Sequence, residues 1–322
     1  MARFLIRRVL QGALVLVLMT FTVFVIFFLG PGPQFVARTL AGKAAPQSEV
    51  NRIASQLYLN KPWYDAYWHY LSGLLHGNLG FDYYNHVPVT TTIKAALPIT
   101  ISLVIGAATL WLLMGLATGI LSAVRTRSIM DRTFTTQALF FYSMPTFVLG
   151  LLLILILYSY LTTHNVPIFP APDNWIPFSQ NPLSWAHILI LPWFTIALVS
   201  AATYTRLTRG SMLDVFGEDY IRTARSKGMP ERRVIIRHNL RASLTPIVTQ
   251  FGLDVGTLVG GAIVTETVFG LPGLGYTAIR AIQEQDLPLI MGIVLVASAG
   301  VVIANMVVDI LYAVLDPRVR LH

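Results

Sequence analysis

Six apolar stretches, at residues 9–28, 99–124, 134–161, 188–204, 246–268 and 289–315, dominate the chain and set what it can fold into. About 20 helical residues at about 1.5 Å each cross the roughly 30 Å of bilayer hydrocarbon. The expected fold class is therefore an all-α membrane protein with six transmembrane helices. The stretch 188–204 is the shortest, with Pro192 near its start. Composition agrees: 12% of residues are charged, against about 25% in soluble domains. Cysteine is absent, which excludes disulfides, thiolate catalysis and Cys-ligated metal sites.

Charge orients the chain. If Arg3, Arg7 and Arg8 lie inside, alternation of the spans places seventeen of the 23 lysines and arginines on that side. They fall at the N-terminus, in the 125–132 loop, in a long basic interruption after the fourth stretch, and at the C-terminus. This is the bias of the positive-inside rule, and it puts both termini in the cytoplasm. The net charge of +8 follows topology and does not point to nucleic acid. The first stretch follows its arginines as a signal peptide would, but its apolar run exceeds the about 7–15 residues of a cleaved signal, so it reads as a retained span. Three regions follow: 1–30, a signal-anchor-like first span; 31–97, an extracytoplasmic segment with interfacial helices; and 98–322, a core of five spans with a cytoplasmic loop at 206–243.

In the outer segment Trp63, Tyr64, Tyr67, Trp68 and Tyr70 suit a helix at the headgroup level, as an aromatic belt rather than a ligand cage. A second outer loop, 164–186, is broken by Pro167, Pro170, Pro172, Pro177 and Pro182 and reads as an irregular lid.

The basic interruption is too short for a domain and too patterned for a linker. Asp219 is placed to cap a short helix running to Lys227. Gly228 stands where a left-handed C-terminal cap would be. Pro230 suits the first turn of a second helix, with Glu231 beside its positive end. The loop thus reads helix, glycine break, helix. The small Ala224 and Ser226 would let the first helix enter a groove on another protein, with Arg222, Arg225 and Lys227 at the rim. Spacing alone fits equally well an amphipathic helix resting on anionic membrane lipid.

Charge inside a membrane needs a reason. Asp254 lies in the fifth stretch and reads equally as part of a polar path or as a structural group. Glu266 lies near the outer end of that stretch. Asn305 and Asp309 share a helical face in the sixth and read first as a structural pair. Pro145 is expected to kink the third stretch, and Gly256, Gly260 and Gly261 to allow close helix packing. No phosphate-binding loop, H-E-x-x-H or G-x-S-x-G motif occurs, so the chain is not read as an enzyme. None of the histidines falls within an expected span, His187 only bordering the fourth, and no metal site is expected. An ion-coupled carrier using Asp254 and Asp309 would not need the helix–glycine–helix loop.

Several runs share one likeness: DYIRTARSKGM and RHNLRASLTPIVT in the loop, SMPTFVLGLLL at 143–153, TETVFGLPGLG at 265–275, NMVVDILYAVLDPRVR at 305–320 and GNLGFDYYNHVPV at 77–89. In this order they resemble the permeases of the oligopeptide/dipeptide/nickel group of ABC importers. The resemblance implies the type I importer permease fold in a bacterial inner membrane. It implies partners: a second homologous permease, two cytoplasmic ATPase subunits or domains that bind ATP and Mg, and an extracytoplasmic substrate-binding protein. No cofactor is expected in this chain, and short peptides are the expected cargo, with nickel chelates as the alternative. By position, Tyr220, Arg222, Thr223, Ala224, Lys227 and Gly228 match the coupling helix, Arg222 and Thr223 standing where the general importer motif has Glu-Ala. Asp254, Glu266, Phe269, Pro272 and Gly273 are the corresponding candidates for the path or gate, with VFGLPGLG forming a tight turn at the outer mouth.

Overall fold

The computed structural model describes residues 2–30, 32–42 and 44–315, with side chains for 6–30, 32–42, 44–258 and 262–307. Helices run α1 (Ala2–Phe24, continued by a π-helical turn Val25–Leu29), α2 (Pro33–Ala41), α3 (Gln47–Gln56) and α4 (Trp63–Leu75). A two-residue antiparallel pair, β1 (Phe81–Asp82) and β2 (Val87–Pro88), then interrupts the helical pattern. Next come α5 (Val89–Val124), α6 (Ile129–Tyr142), α7 (Thr146–Leu153, continued by Ile154–Tyr160) and α8 (Leu161–Thr163). The remainder is α9 (Pro182–Phe216), α10 (Asp219–Ser226), α11 (Glu231–Arg233, continued by Val234–Leu240), α12 (Arg241–Gly261), α13 (Ile263–Val268), α14 (Leu274–Glu284) and α15 (Leu287–Leu315).

Among the described residues five helices are long and apolar enough to cross a membrane: Ile6–Leu29, Val89–Val124, Thr146–Thr163, Pro182–Phe216 and Leu287–Val307. The expected fifth stretch, 246–268, is divided between α12 and α13, with a break at Ala262. The fourth differs most from expectation. It is not the shortest but a 35-residue helix. Asn181 caps it by accepting from Leu183 N and Ser184 N, Pro182 takes the first turn where no N–H is needed, and Pro192 is carried within the helix. The helix runs on through Arg206 and Arg209 to Phe216, so the first dozen residues of the basic interruption are helical. The proline-rich loop accordingly ends at Asn181, and His187 lies inside the helix, where its Nε2 donates to Ile168 O at 2.6 Å. The expected border at 97/98 falls inside α5, in which Pro98 is carried.

The described residues fall into two compact units, one within 2–100, 259–263 and 272–303, the other within 101–258, 264–271 and 304–315. In the first, Phe24 and Phe28 of the first span pack with Tyr67 and Tyr70 of α4. Only part of the aromatic row is therefore available as a belt: Trp63, Tyr64 and Trp68 are exposed, whereas Tyr67 and Tyr70 are partly buried. The start of α15 is fixed by the buried Asp286, which accepts from Leu289 N at 3.0 Å and from Tyr83 N at 2.7 Å. Burial lifts the Asp286 carboxyl above its ordinary value. Asp82 is also buried, but hydrogen bonds from Asn85 and Thr92 outweigh that and hold it below.

In the second unit α5 and α9 meet along a seam built on glycines. Gly106 receives the Trp193 ring, Gly115 receives Tyr204 and Gly119 receives Thr208. The Trp193 indole donates to Ser102 O at 3.0 Å, and the Thr118 and Thr205 hydroxyls meet at 2.7 Å. Small residues let helix backbones approach, so dispersion and short hydrogen bonds hold the pair where hydrocarbon offers no hydrophobic gain. The expected close-packing glycines were Gly256, Gly260 and Gly261; Gly256 is buried, and the side-chain surroundings of the other two lie outside the described residues. The third stretch breaks at Pro145, which is extended (φ −60°, ψ 137°) and starts α7.

Candidate functional site

The basic loop folds as a hairpin of two helical arms. Helix α10 ends at Gly228, whose φ of +74° is the left-handed conformation expected of it. Met229 N donates to Ala224 O and Gly228 N to Arg225 O, which is the paired pattern of a Schellman cap. Nothing lies within 4 Å of a Cβ built at Gly228, so the backbone angle and not space requires glycine. At the other end the reading needs correction. Asp219 does not cap α10; it is the first helical residue, and Glu218 precedes it without a side-chain cap hydrogen bond. Pro230, extended at φ −61° and ψ 136°, precedes the second arm.

Helix α10 is amphipathic, and its inner face is used within the chain. Ile221 and Val234 are fully buried, Ala224 is 7% exposed, and Val215, Phe216 and Met229 pack around them. Within the chain, the small side chain of Ala224 lets the second arm approach α10. Arg225 is also used internally, forking onto Glu231 (Nη2–Oε1 2.6 Å, Nε–Oε2 3.2 Å) and lying over Phe216. That pair holds the Glu231 carboxyl below its ordinary value. Besides Arg225, α10 presents Asp219, Tyr220, Arg222, Thr223 and Ser226 outward, and Lys227 at its C-cap is exposed too.

The second arm is stapled to α9. Buried Asn239 donates to Met212 O at 2.9 Å, and the Ser243 hydroxyl lies 3.3 Å from Ser211 O. One turn earlier on α9, Arg209 forks onto Asp131 (Nε–Oδ1 2.8 Å, Nη2–Oδ2 3.0 Å). Asp131, in the first turn of α6, is buried and also accepts from Ser122 Oγ and Arg127 N. The Arg209 fork, aided by Ser122 and Arg127, overcomes burial and holds the carboxyl well below the usual carboxylate range. Sequence reading missed this group; Asp131 beside the 125–132 arginines was its one available sign.

Of the candidate polar groups in the spans, Asp254 finds its partners within the chain. Asp254 accepts from Tyr204 Oη and from Gln250 Nε2, each at 2.8 Å. Tyr204 lies fully buried beside Trp111 and Phe251. Glu266 is fully buried. Asn305 is exposed, and the side chain of its expected partner Asp309 lies outside the described residues.

The VFGLPG run makes a second cap of the same kind, with Leu271 N on Glu266 O, Gly270 N on Thr267 O and Gly270 at φ +62°. Phe269 is buried, and its carbonyl accepts from Asp173 N at 3.0 Å. The proline-rich loop therefore sits directly on this turn: a Cβ at Gly270 would lie 2.9 Å from that of Asp173. Pro272 is exposed and Gly273 is buried at the start of α14, in the other unit. Among the described residues no cluster of three or more His, Asp or Glu could hold a metal ion.

Buried polar groups on long apolar helices, and one solvated basic hairpin stapled to them, describe a multi-pass membrane protein. The chain belongs to the family described as binding-protein-dependent transport system inner membrane component, whose model matches residues 115–321. The N-terminal component of the same systems matches residues 1–104. It is a permease subunit and not an enzyme. It is 36% identical over 320 residues to the glutathione transport system permease protein GsiC of Escherichia coli O6:H1, covering 99% of each chain. It is 35% identical over 341 residues to the dipeptide transport system permease protein DppB of Escherichia coli K12, again covering 99% of each.

Proposed function

We propose that this chain is the transmembrane subunit of an ATP-driven ABC importer that moves short peptides into the cytoplasm. The observation that carries the cargo is the end-to-end likeness to two permeases whose named substrates, a dipeptide and glutathione, are both short peptides. In this reading the chain sits in the bacterial inner membrane with six spans and both ends inside, as its charge distribution favours. It pairs with a second permease, receives substrate from an extracytoplasmic binding protein, and rests on two ATPase subunits that bind ATP and Mg.

The hairpin is the coupling element. Its contact face is the exposed Tyr220, Arg222, Thr223 and Lys227, while Ala224 and Gly228 shape it from within. Asp254, held by Tyr204 and Gln250, is a structural group in the spans, and the Glu266–Phe269–Pro272–Gly273 run frames the outer mouth.

Purification through a tag on this chain tests the assembly. Two ATPases or one twice, a second permease and a binding protein should co-purify, and short peptides should stimulate ATP hydrolysis. Stimulation by nickel chelates and not by peptides would replace the cargo, and a chain that purifies alone would overturn the reading. Since the chain has no cysteine, single cysteines report topology cleanly. Those at Ser48 and Asn174 should label with an impermeant reagent in intact cells, and one at Ser226 should not.

A further inference from the structure

The hairpin is joined to the helix before it by more than the chain. It follows α9 through Gly217 and runs without a break into α12 at its other end, and the chain alone would leave it able to swivel about these two ends. Three further attachments remove that freedom. The apolar interior of the hairpin, Ile221, Ala224 and Val234, packs on Val215 and Phe216. Asn239 and Ser243, on the returning arm, bond the carbonyls of Met212 and Ser211. Arg209, one turn further back, grips Asp131, which in turn holds Ser122 in the last turn of α5 and Arg127 N in the connecting loop. From Ser122 the glycine seam continues the α5–α9 contact through Gly119, Gly115 and Gly106.

We propose that Asp131 and Arg209 are positioning residues for transport, clamping the hairpin end of α9 to α5 and α6 so that hairpin and spans turn as one body. Transport enters only through the importer reading above, on which this proposal rests. A bidentate guanidinium–carboxylate pair suits the task because its two parallel hydrogen bonds fix orientation as well as distance, which a lysine cannot do. Burial of Asp131 makes the pair sensitive to its loss: without Arg209 the buried carboxylate keeps only Ser122 and Arg127 N and the local structure must open to hydrate it, while without the Asp131 charge the partly exposed Arg209 loses the partner that fixes its orientation. The remaining attachments keep the hairpin folded on α9 and the seam keeps α9 against α5 as far as Gly119, so a cut clamp loosens the ends of α9, α5 and α6 beyond Gly119 without unfolding the hairpin.

The test has two arms. Spin labels on cysteines at Leu121 and Ser226, both exposed, report the distance from the end of α5 to the hairpin in lipid nanodiscs, with whatever subunits co-purify. The clamp predicts one narrow distance in the otherwise wild-type chain, a broad distribution in Asp131→Asn and in Arg209→Met, and partial narrowing in Arg209→Lys. A broad distribution in the intact chain, or an unchanged narrow one in both variants, overturns the proposal whatever the protein transports. In proteoliposomes with the complete complex, dipeptide transported per ATP hydrolysed should fall severely in Asp131→Asn. The exposed neighbour variant Arg132→Ala should match wild type. A merely structural role would lower the amount of assembled complex but leave this ratio unchanged, and an unchanged ratio with broadened distances overturns the transport role. Absence of ATP-driven uptake in the wild-type complex would sink the importer reading instead, leaving the spectroscopic arm to judge the clamp.

Discussion

Substitution of single glycines by alanine separates packing from helix propensity in the α5–α9 seam. A Cβ at Gly119 would lie 2.6 Å from Thr208 Cβ and 2.9 Å from Thr205 O. Carbon contacts settle at about 3.5–4.0 Å, so the helices must part locally by about 1 Å. That displacement also strains the hydrogen bond between Thr118 and Thr205 hydroxyls, 2.7 Å apart. Overpacking of this kind costs about 1–3 kcal/mol. Gly210, inside α9, has nothing within 4 Å of its Cβ position, so alanine there adds only helix propensity, up to about 1 kcal/mol in favour. The propensity gain is common to both sites, and the difference between the variants therefore isolates the seam. Gly115 is tighter still, at 2.3 Å from Tyr204 Cβ. The expected order of apparent melting temperature, by size-exclusion of a fluorescent fusion after heating, is Gly210→Ala at or above wild type, then Gly119→Ala, then Gly115→Ala. A shift of a few degrees per kcal/mol makes the order readable. Gly119→Ala melting with or above Gly210→Ala would refute the close approach of these helices.

Other outcomes follow from the same geometry. Gly228→Val places a β-branched side chain at φ +74°, whereas Gly228→Asn tolerates that angle; peptide-stimulated ATP hydrolysis should drop severely in the first and largely survive in the second. Tyr204→Phe removes one of two donors to Asp254 and should cost about 1.5–3 kcal/mol, with Asp254→Asn in the same background recovering part of the loss; equal melting of Tyr204→Phe and wild type would contradict the pairing. Asp131 has a depressed pKa in the folded chain, so its stabilisation is fully present above the unfolded value near 3.8 and is lost only as pH falls through the folded one. The stability gap between wild type and Asp131→Asn should then be the same at pH 7 and pH 5; a gap that closes between those values would mean the carboxylate is not held by Arg209.

What the sequence disclosed and what it concealed divide along range. Gly228 and Pro230 were readable because a left-handed cap and a proline-led arm are decided within about five residues. Gln250 and Asp254 are four apart and could be paired by helical spacing, but Tyr204, fifty residues away, could not. The fourth helix was cut short because Arg206, Arg209 and Asp214 look like a boundary; Arg209 is helical and half-hidden because Asp131 neutralises it, a partner supplied only by the fold. The Asn181–Pro182 start was local and legible, but Pro192 drew the boundary inward. Ala224 showed that something approaches closely, and its smallness could not say that the neighbour is the chain's own second arm. Gly115 and Gly119 carry the spacing of a helix-packing motif, yet only Tyr204, Thr205 and Thr208 opposite them show that it is used.

Reconstitution of the complete complex tests the importer function most directly. Proteoliposomes holding this chain with its co-purified permease and ATPases, supplied with the binding protein outside and ATP inside, should accumulate a labelled dipeptide against its gradient. Accumulation should cease when ATP is withheld and persist when the proton gradient is collapsed. Uptake that follows the proton gradient, needs no ATP and proceeds with this chain alone would contradict the assignment and make the chain an ion-coupled carrier.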